Sequence, residues 1–560
     1  MNDAVPMTTT VTGRKAFLEL LRSEGVTHLF GNPGTTELPI MHALSEVPGL
    51  HFVLGLQESI VIAMADGYAR ASGRLAACNV HVAPGLGNAM GTLYTAHNSG
   101  TPLIVTAGQQ ELGHGLTEPL LYGPLVRMAE PVSKWAVEVT RLADLPRIMR
   151  RAAKIAMTAP TGPVFISLPG DILNDSAPLS LGQPTRVSTE VVPTDAVLDG
   201  LVDALLSARA PAILAGHELA TGDALAEAAG FASALGAPVF QQSVPQGAHF
   251  LSEHPLYMGD LSRTQSQVRE RLAPYDMIVS LGADLLRMSV FSEVDPLPEG
   301  MRVLQLGLRD WEMGKNWAAE QAVRIDLRST LPRLTERLVA KGGAALAARA
   351  AKGVDAVAGT NWLANRARKR EAALARRNDS PLHPDWLVCD LVERLPANAV
   401  VVEEALTSSR SLLAHLPYRD RHSFYGNVSG GIGWAIGAAV GIQLALPDRR
   451  VIALLGDGSS MYSIQALWTA AHEKLPIVFL IANNGGYRII KERLRAFHGS
   501  EQYIGMDFEE PAIDFSALAQ SLGVPALRAD DADSYAKALG AALARTDGPT
   551  LIEAMVEKGP

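Results

Sequence analysis

The segment Gly456-Asp457-Gly458-Ser459-Ser460, with 24 residues between Gly458 and the following Asn483-Asn484-Gly485-Gly486-Tyr487, limits the possible folds of this chain more than any other stretch. Arg450 to Leu455 before it, and Pro476 to Ile481 within it, are apolar runs of strand length, and the residues from Met461 onward read as helical. Strand, glycine turn, helix, strand, loop is the pattern of parallel strands joined by a helical crossover. Such a unit sets oxygen atoms at neighbouring strand ends: the Asp457 carboxylate, the Asn484 side-chain carbonyl and the Gly486 backbone carbonyl. A few hard oxygen ligands suit Mg²⁺, which completes its shell with phosphate oxygens. A helix starting after Ser459 would aim its N–H groups at the same point and favour an anion. The spacing therefore predicts a diphosphate held through a metal ion.

The rest of the chain repeats this alternation. Residues 12–185 carry a helix pattern at Arg14 to Glu24 and strands at Thr27 to Phe30, Leu75 to His81, Pro102 to Ala107 and Pro163 to Leu168. The loops Gly31–Thr36 and His81–Asn88 directly follow two of these strands, where ligands of parallel sheets sit. Residues 192–340 show strands at Ala212 to Ala215, Pro238 to Phe240, Asp276 to Leu281 and Arg302 to Leu306. Residues 341–380, rich in Ala, Arg and Lys, read as a helical, solvated linker. Residues 381–557 add strands at Ala399 to Val402, Arg450 to Leu455, Ile477 to Ile481 and Thr550 to Glu553. They also carry a glycine-dense helix entry, Gly426 to Gly441, suited to close backbone approach to a ligand. The expected fold class is α/β: three doubly wound domains with mainly parallel sheets. Similarity between the first and third domains stays open at this level.

Composition excludes several functions. A net charge of −9 argues against nucleic acid or an anionic membrane as partner. No apolar span of about twenty residues is present, and Met1 to Arg14 lacks the apolar core of a signal segment. The two cysteines, Cys78 and Cys389, fit buried thiols in a reducing compartment. The expectation is a cytoplasmic protein.

Taken together, Gly31-Asn32-Pro33-Gly34 with Glu37-Leu38-Pro39, Leu56-Gln57-Glu58, Ala65-Asp66-Gly67-Tyr68-Ala69, Gly87-Asn88-Ala89-Met90-Gly91, Leu103 to Gln110, Gly456 to Ser459 and Ala466 to Ala471 are distinctive. Over nearly its full length the chain resembles the thiamine diphosphate-dependent 2-keto acid decarboxylase and carboligase superfamily, most of all its benzoylformate decarboxylase branch. The resemblance implies pyrimidine-binding, central and diphosphate-binding domains in that order. It implies a homodimer as the minimum active unit, with the cofactor between subunits, and commonly a homotetramer. The cofactors implied are thiamine diphosphate and Mg²⁺. Asp457, Asn484 and Gly486 are the implied metal ligands. The implied cofactor contacts are Glu58, Asn88, Thr407, Ile432, Gly456, Asp457, Gly458, Ser459, Asn484, Gly486 and Tyr487. Glu58 would bond the aminopyrimidine ring, Ile432 would pack beneath the bent cofactor, and His81 and Thr35 would act at the substrate. Leu120, Leu121, Ser289, Gly426, Ile490 and Arg493 would line the substrate pocket.

Four positions depart from that branch. Thr35 replaces a serine, Ser289 stands where a second histidine is found, and Gly426 and Arg493 stand at or near two pocket phenylalanines. The basic loop Tyr487 to Arg493 would pair with a carboxylate, phosphate or CoA group. The leading expectation is decarboxylation of a 2-keto acid with carboligase activity; an acetolactate-synthase-like carboligase or a 2-hydroxyacyl-CoA lyase is the alternative. Between Val192 and Val339 there is no Gly-x-Gly-x-x-Gly fingerprint, so no FAD is expected.

Overall fold

In the computed structural model, which describes residues 9–242, 244, 246–288 and 290–559, the chain builds three six-stranded sheets and one two-stranded ribbon. Two of the sequence-level expectations fall partly or wholly outside these residues: Ser289, and the first eight residues of Met1 to Arg14.

The first sheet runs His51–Leu54, His28–Gly31, Ala76–Val80, Leu103–Gln109, Val164–Pro169, Trp135–Glu138, every pair parallel. Ala76–Val80 and Leu103–Gln109 are buried along their whole length, which is why they stand out as apolar runs. The strands that the apolar pattern missed, His51–Leu54 and Trp135–Glu138, are the two edges, and their residues stay largely half-exposed. Thr9–Thr12 pairs antiparallel with Ser176–Leu179 as the separate ribbon.

The third sheet runs Phe424–Gly426, Val400–Glu404, Val451–Gly456, Val478–Asn483, Thr550–Met555, Ala526–Ala529. Numbered along each domain, the first and third sheets share the strand order 2-1-3-4-6-5. In both, the order reverses between the first and third strands, which opens a crevice at their carboxyl ends. Gly31 to Glu37 and His81 leave from that point in the first sheet. Glu404 and Gly456 to Ser459 leave from it in the third.

The middle sheet has strand order 3-2-1-4-5-6, with Pro211–Ala215 beside Met277–Leu281 at its reversal. Buried charged groups gather there. Glu218 accepts from the Leu308 and Arg309 N–H groups at 2.6 and 3.2 Å. Arg309 reaches His217 Nε2 and Asp284 at 3.1 Å each. Burial pushes the Glu218 carboxyl up to about 7 and the His217 imidazole down to about 3.

Packing groups the chain into two compact units, Met1–Ser188 with Val402–Leu406 and Asn427–Pro560, and Thr189–Val401 with Thr407–Gly426. In the second unit, the stretch 341–380 is helical in two pieces, the end of Leu327–Val357 and then Trp362–Leu374. Most of its side chains are exposed, but Leu346, Val357 and Trp362 are buried, and the Trp362 indole N–H donates to the Leu413 carbonyl at 2.8 Å.

In the first unit, helix Glu58–Ser72 packs against helix Ala435–Ala445 at backbone distance. A Cβ on Gly67 would lie 2.3 Å from the Ala438 carbonyl oxygen, and one on Gly441 would lie 1.9 Å from that of Met64. Gly437 similarly faces Ala63. Within the Gly426–Gly441 stretch, the two helical glycines, Gly437 and Gly441, admit a neighbouring helix rather than a ligand. Asp66, fully buried, ties the same pair by accepting from the Trp434 indole N–H at 2.6 Å, with the Arg70 guanidinium 3.5 Å away.

Gly441→Val should cost the first unit about 2 kcal/mol through overpacking, read as a lower urea midpoint. Gly540→Ala, on a helix face with nothing within 4 Å of a new Cβ, should leave the midpoint unchanged or raise it slightly.

Candidate active site

Glu58 opens helix Glu58–Ser72, whose N-cap Gln57 accepts from the N–H groups of Ser59 and Ile60 at 2.7 and 3.3 Å. The cap leaves the Glu58 carboxylate buried at the helix N-terminus, where the partial positive charge favours it. Asn88 donates to its Oε2 at 3.0 Å. The stretch His81–Asn88, expected as a loop, is instead the N-cap and first two turns of helix Val82–Ser99. The chain pivots directly from strand to helix at Val82, held at φ 36°. A β-branched residue rarely adopts that conformation, so surrounding packing must impose it. Gly85, one turn on, separates two of the expected site residues. A Cβ there would lie 2.9 Å from Glu58 Oε1 and 3.3 Å from His81 Cβ.

His81 Nδ1 lies 2.7 Å from Glu37 Oε2 and 3.3 Å from Thr36 Oγ1. Glu37 is fully buried and also accepts from Gly34 N–H at 3.0 Å, Gly108 N–H at 2.9 Å and the Thr36 hydroxyl at 2.8 Å. Glu37 stands in the Gly31–Pro39 motif with no role expected of it from the sequence. The available signal was an acid placed three residues beyond a glycine turn at a strand end. Thr36, not the exposed Thr35, brings its hydroxyl to the imidazole.

The second cluster forms where Val451–Gly456 and Val478–Asn483 end side by side. Asp457 Oδ2 accepts from the N–H groups of Asn484, Gly485 and Gly486 at 3.0, 2.7 and 3.1 Å, while Oδ1 takes only Gly458 N–H, at 2.7 Å. Burial pushes this carboxyl's pKa up, and the four N–H donors pull it back. Asn484 Oδ1 is buried with no hydrogen-bond partner. A buried carbonyl without a donor is costly unless something electropositive meets it. That orphan oxygen, beside a carboxylate with lone pairs to spare, suits a hard cation. The Gly486 carbonyl, the third expected ligand, already accepts from Arg488 N–H at 3.0 Å and keeps a second lone pair.

The helix expected after Ser459 is different. A single turn, Asp457–Ser460, begins at Asp457 itself, and turns follow until helix Ala466–His472. The Ser459 and Ser460 hydroxyls donate back to the Gly456 carbonyl, and Ser459 also to that of Glu404 at 2.8 Å, local bonds that compete with helix continuation. Tyr487 packs its ring against Gly458, 2.7 Å from where a Cβ would stand.

Glu404, which the sequence did not single out, anchors the loop carrying Ile432. It accepts from the N–H groups of Gly433, Trp434 and Ala435 and from the Asn427 amide, at 3.0 to 3.3 Å. Burial outweighs these donors and holds its pKa at about 7. Ile432 itself is half-buried. Thr407 and Gly426 belong to the second unit; Thr407 is buried in the turn Leu406–Ser409, and Gly426 ends a strand.

The basic stretch after Tyr487, expected as a loop, is helix Arg488–His498. Arg488 pairs with Glu492 at 3.0 Å and Glu557 at 3.3 Å, and Lys491 with Asp507. Arg493 is exposed, its guanidinium 5.7 Å from the Phe497 ring centre. Ile490 is exposed one turn before it. Leu120 is 98% exposed and Leu121 half-buried.

Three family models match the chain: thiamine pyrophosphate enzyme, N-terminal TPP binding domain, over residues 11–119; central domain, over 198–334; and C-terminal TPP binding domain, over 407–554. The chain is 33% identical to benzoylformate decarboxylase of Pseudomonas aeruginosa, over 97% of this chain and 98% of that one. It is 27% identical to the acetolactate synthase large subunit of Parasynechococcus marenigrum, over 98% and 88%. Among solved structures it is similar to a thiamine diphosphate-dependent 4-hydroxybenzoylformate decarboxylase of Rhodococcus jostii RHA1. That match has a TM-score of 0.85 and 30% identity, over 98% of this chain and 99% of that one.

Glu404 gives a pH test. Between its unfolded value of 4.5 and about 7, the folded chain holds a proton that the unfolded chain has released. Its contribution is therefore complete below about pH 4.5 and declines as pH rises through 7, by at most ~1.4 kcal/mol per pH unit. Urea midpoints of the first unit should show a shallower decline from pH 5 to 7 in Glu404→Gln than in the parent. An identical slope would assign the effect to other groups.

Proposed function

Because the chain belongs to the thiamine diphosphate-dependent decarboxylase and carboligase family, with all three of its domains, we propose that it decarboxylates a 2-keto acid and ligates aldehydes as an accompanying activity. The observation that carries this reading is the buried Glu58 at a helix N-terminus, held by Asn88 and separated from His81 only by Gly85. When bound, thiamine diphosphate supplies the electron sink for the electron pair left as the carboxylate departs. Asp457 Oδ1, the orphan Asn484 Oδ1 and the Gly486 carbonyl would hold Mg²⁺, which would supply positive charge to the diphosphate. Glu58, buried and held by Asn88, would bind the aminopyrimidine ring and hold a proton there. His81 delivers or orients a proton at the carbon that loses CO₂. Asn88, Ile432 and Tyr487 shape the cofactor's bed.

The aryl 2-keto acids named for two of the relatives make an apolar substrate the first choice. The alternative, an acyl-CoA or carboligase substrate, drew support from the basic run after Tyr487. Two of those three cations are paired with carboxylates of the same unit, which leaves Arg493 alone to meet an anion. Leu116, Leu120 and Ile504, each at least 86% exposed on the single chain, support burial in a homodimer and then a homotetramer. The two buried free thiols, Cys78 and Cys389, support a cytoplasmic location. Among the described residues no helix is long and apolar enough to cross a membrane.

The test is CO₂ release by protein loaded with thiamine diphosphate and Mg²⁺, across aryl, branched, small and dicarboxylic 2-keto acids, with and without an aldehyde. Release from an aryl 2-keto acid alone is expected. Release only with an acceptor would favour the carboligase. Glu58→Gln should still bind the cofactor but lose activity by roughly 10²- to 10⁴-fold. Full turnover in that variant would remove Glu58 from the mechanism.

A further inference from the structure

Glu37 is the most enclosed carboxylate in the first sheet's crevice, and every group around it is a donor or can be one. Gly34 N–H, Gly108 N–H and the Thr36 hydroxyl supply three hydrogen bonds, and His81 Nδ1 makes the shortest contact, at 2.7 Å. The Thr36 hydroxyl spends its only proton on Glu37 Oε1, so towards His81, 3.3 Å away, its oxygen can only accept. Both neighbours of Nδ1 are thus acceptors, and Nδ1 must carry the proton. In a neutral imidazole that leaves the lone pair on Nε2.

The backbone is arranged to permit this pair. A Cβ on Gly34 would stand 2.0 Å from His81 Nδ1, and one on Gly108 would stand 2.2 Å from Glu37 Oε1. Any side chain at either position would separate acid from imidazole. The pivot at Val82 turns the chain immediately after His81. The Glu37 side chain is wholly buried while that of His81 is 23% exposed, so the pair has a closed carboxylate end and an open imidazole end.

We infer that Glu37 is the positioning residue for His81, holding it as the Nδ1–H tautomer so that Nε2 faces the substrate, and stabilising the imidazolium when Nε2 takes up a proton. This rests on the decarboxylase reading for what His81 does to substrate, but not for the state of the imidazole. In the reaction Nε2 takes up a proton from water, the resulting imidazolium gives it to the carbon that has lost CO₂, and His81 returns to the neutral Nδ1–H form, with the Nδ1 proton staying between His81 and Glu37 throughout.

The experiment reads His81 directly. Full-length protein loaded with thiamine diphosphate and Mg²⁺ is treated with diethylpyrocarbonate, which acylates only unprotonated imidazole, and the His81 peptide is followed by mass spectrometry from pH 5 to 8. In Glu37→Gln the midpoint of His81 modification should move to lower pH, because a neutral amide stabilises the imidazolium less than a carboxylate does. Glu37→Asp should lie between the two, and carries the test if the Gln variant does not fold. An unchanged midpoint in a folded variant overturns the proposal, whether or not the protein decarboxylates anything. Where CO₂ release is measurable, Glu37→Gln should lower kcat and move the acid limb of its pH profile. The same change in a His81→Ala background should cost nothing further. An equal loss in both backgrounds would show that Glu37 does not act through His81.

Discussion

The rest of the first unit depends on the backbone contact between helices Glu58–Ser72 and Ala435–Ala445. Gly67 and Gly441 each let a carbonyl of the other helix come closer than any side chain would allow. Close-packed interiors relax little, so this contact sets the spacing of everything attached to the helices. Glu58 is the first residue of one helix; the loop with Ile432, anchored by Glu404, runs directly into the other. Asp66, accepting from the Trp434 indole, adds a polar pin that is satisfied only at this spacing. One piece of packing thus fixes where Glu58 and the Ile432 loop stand within the first unit, though it touches neither.

A second regularity is the use of buried carboxylates at strand ends. Glu37, Glu404 and Asp457 each accept several backbone N–H groups that a strand-to-helix turn would otherwise leave unpaired. The acids are held by many weak bonds from rigid backbone and do not reorganise when charge moves nearby. The identical strand order of the first and third sheets explains why the pattern occurs in both: each has the same crevice to close. The middle sheet, with a different order, closes its own crevice with Glu218 against Leu308 and Arg309.

Much of this was legible in the sequence, and the division has a physical basis. Asp457, Asn484 and Gly486 could be read because one strand–turn–helix–strand unit contains them all, so local spacing decides their geometry. The buried central strands could be read because strands covered on both faces are apolar throughout. The edge strands His51–Leu54 and Trp135–Glu138 carry only three consecutive apolar residues each, too short a run to mark a strand alone. The basic stretch from Arg488 to Arg493 leaves anion binding and a solvent-facing helix equally open in sequence, because the partners Asp507 and Glu557 are supplied from elsewhere along the chain.

By itself the sequence determined the α/β class, the three sheets, the glycine turn at Asp457 and the identity of Glu58 and His81 as candidates, because each is written in residues close together or in a motif of fixed order. Only the tertiary structure decided that Glu37, 44 residues from His81, holds its Nδ1, that Glu404 anchors the loop of Ile432, and that Gly437 and Gly441 meet a helix. A glutamate or a glycine carries no mark of its partner in its own neighbourhood. Its burial and its donors come from segments brought together by sheet order and helix packing, which local pattern does not encode.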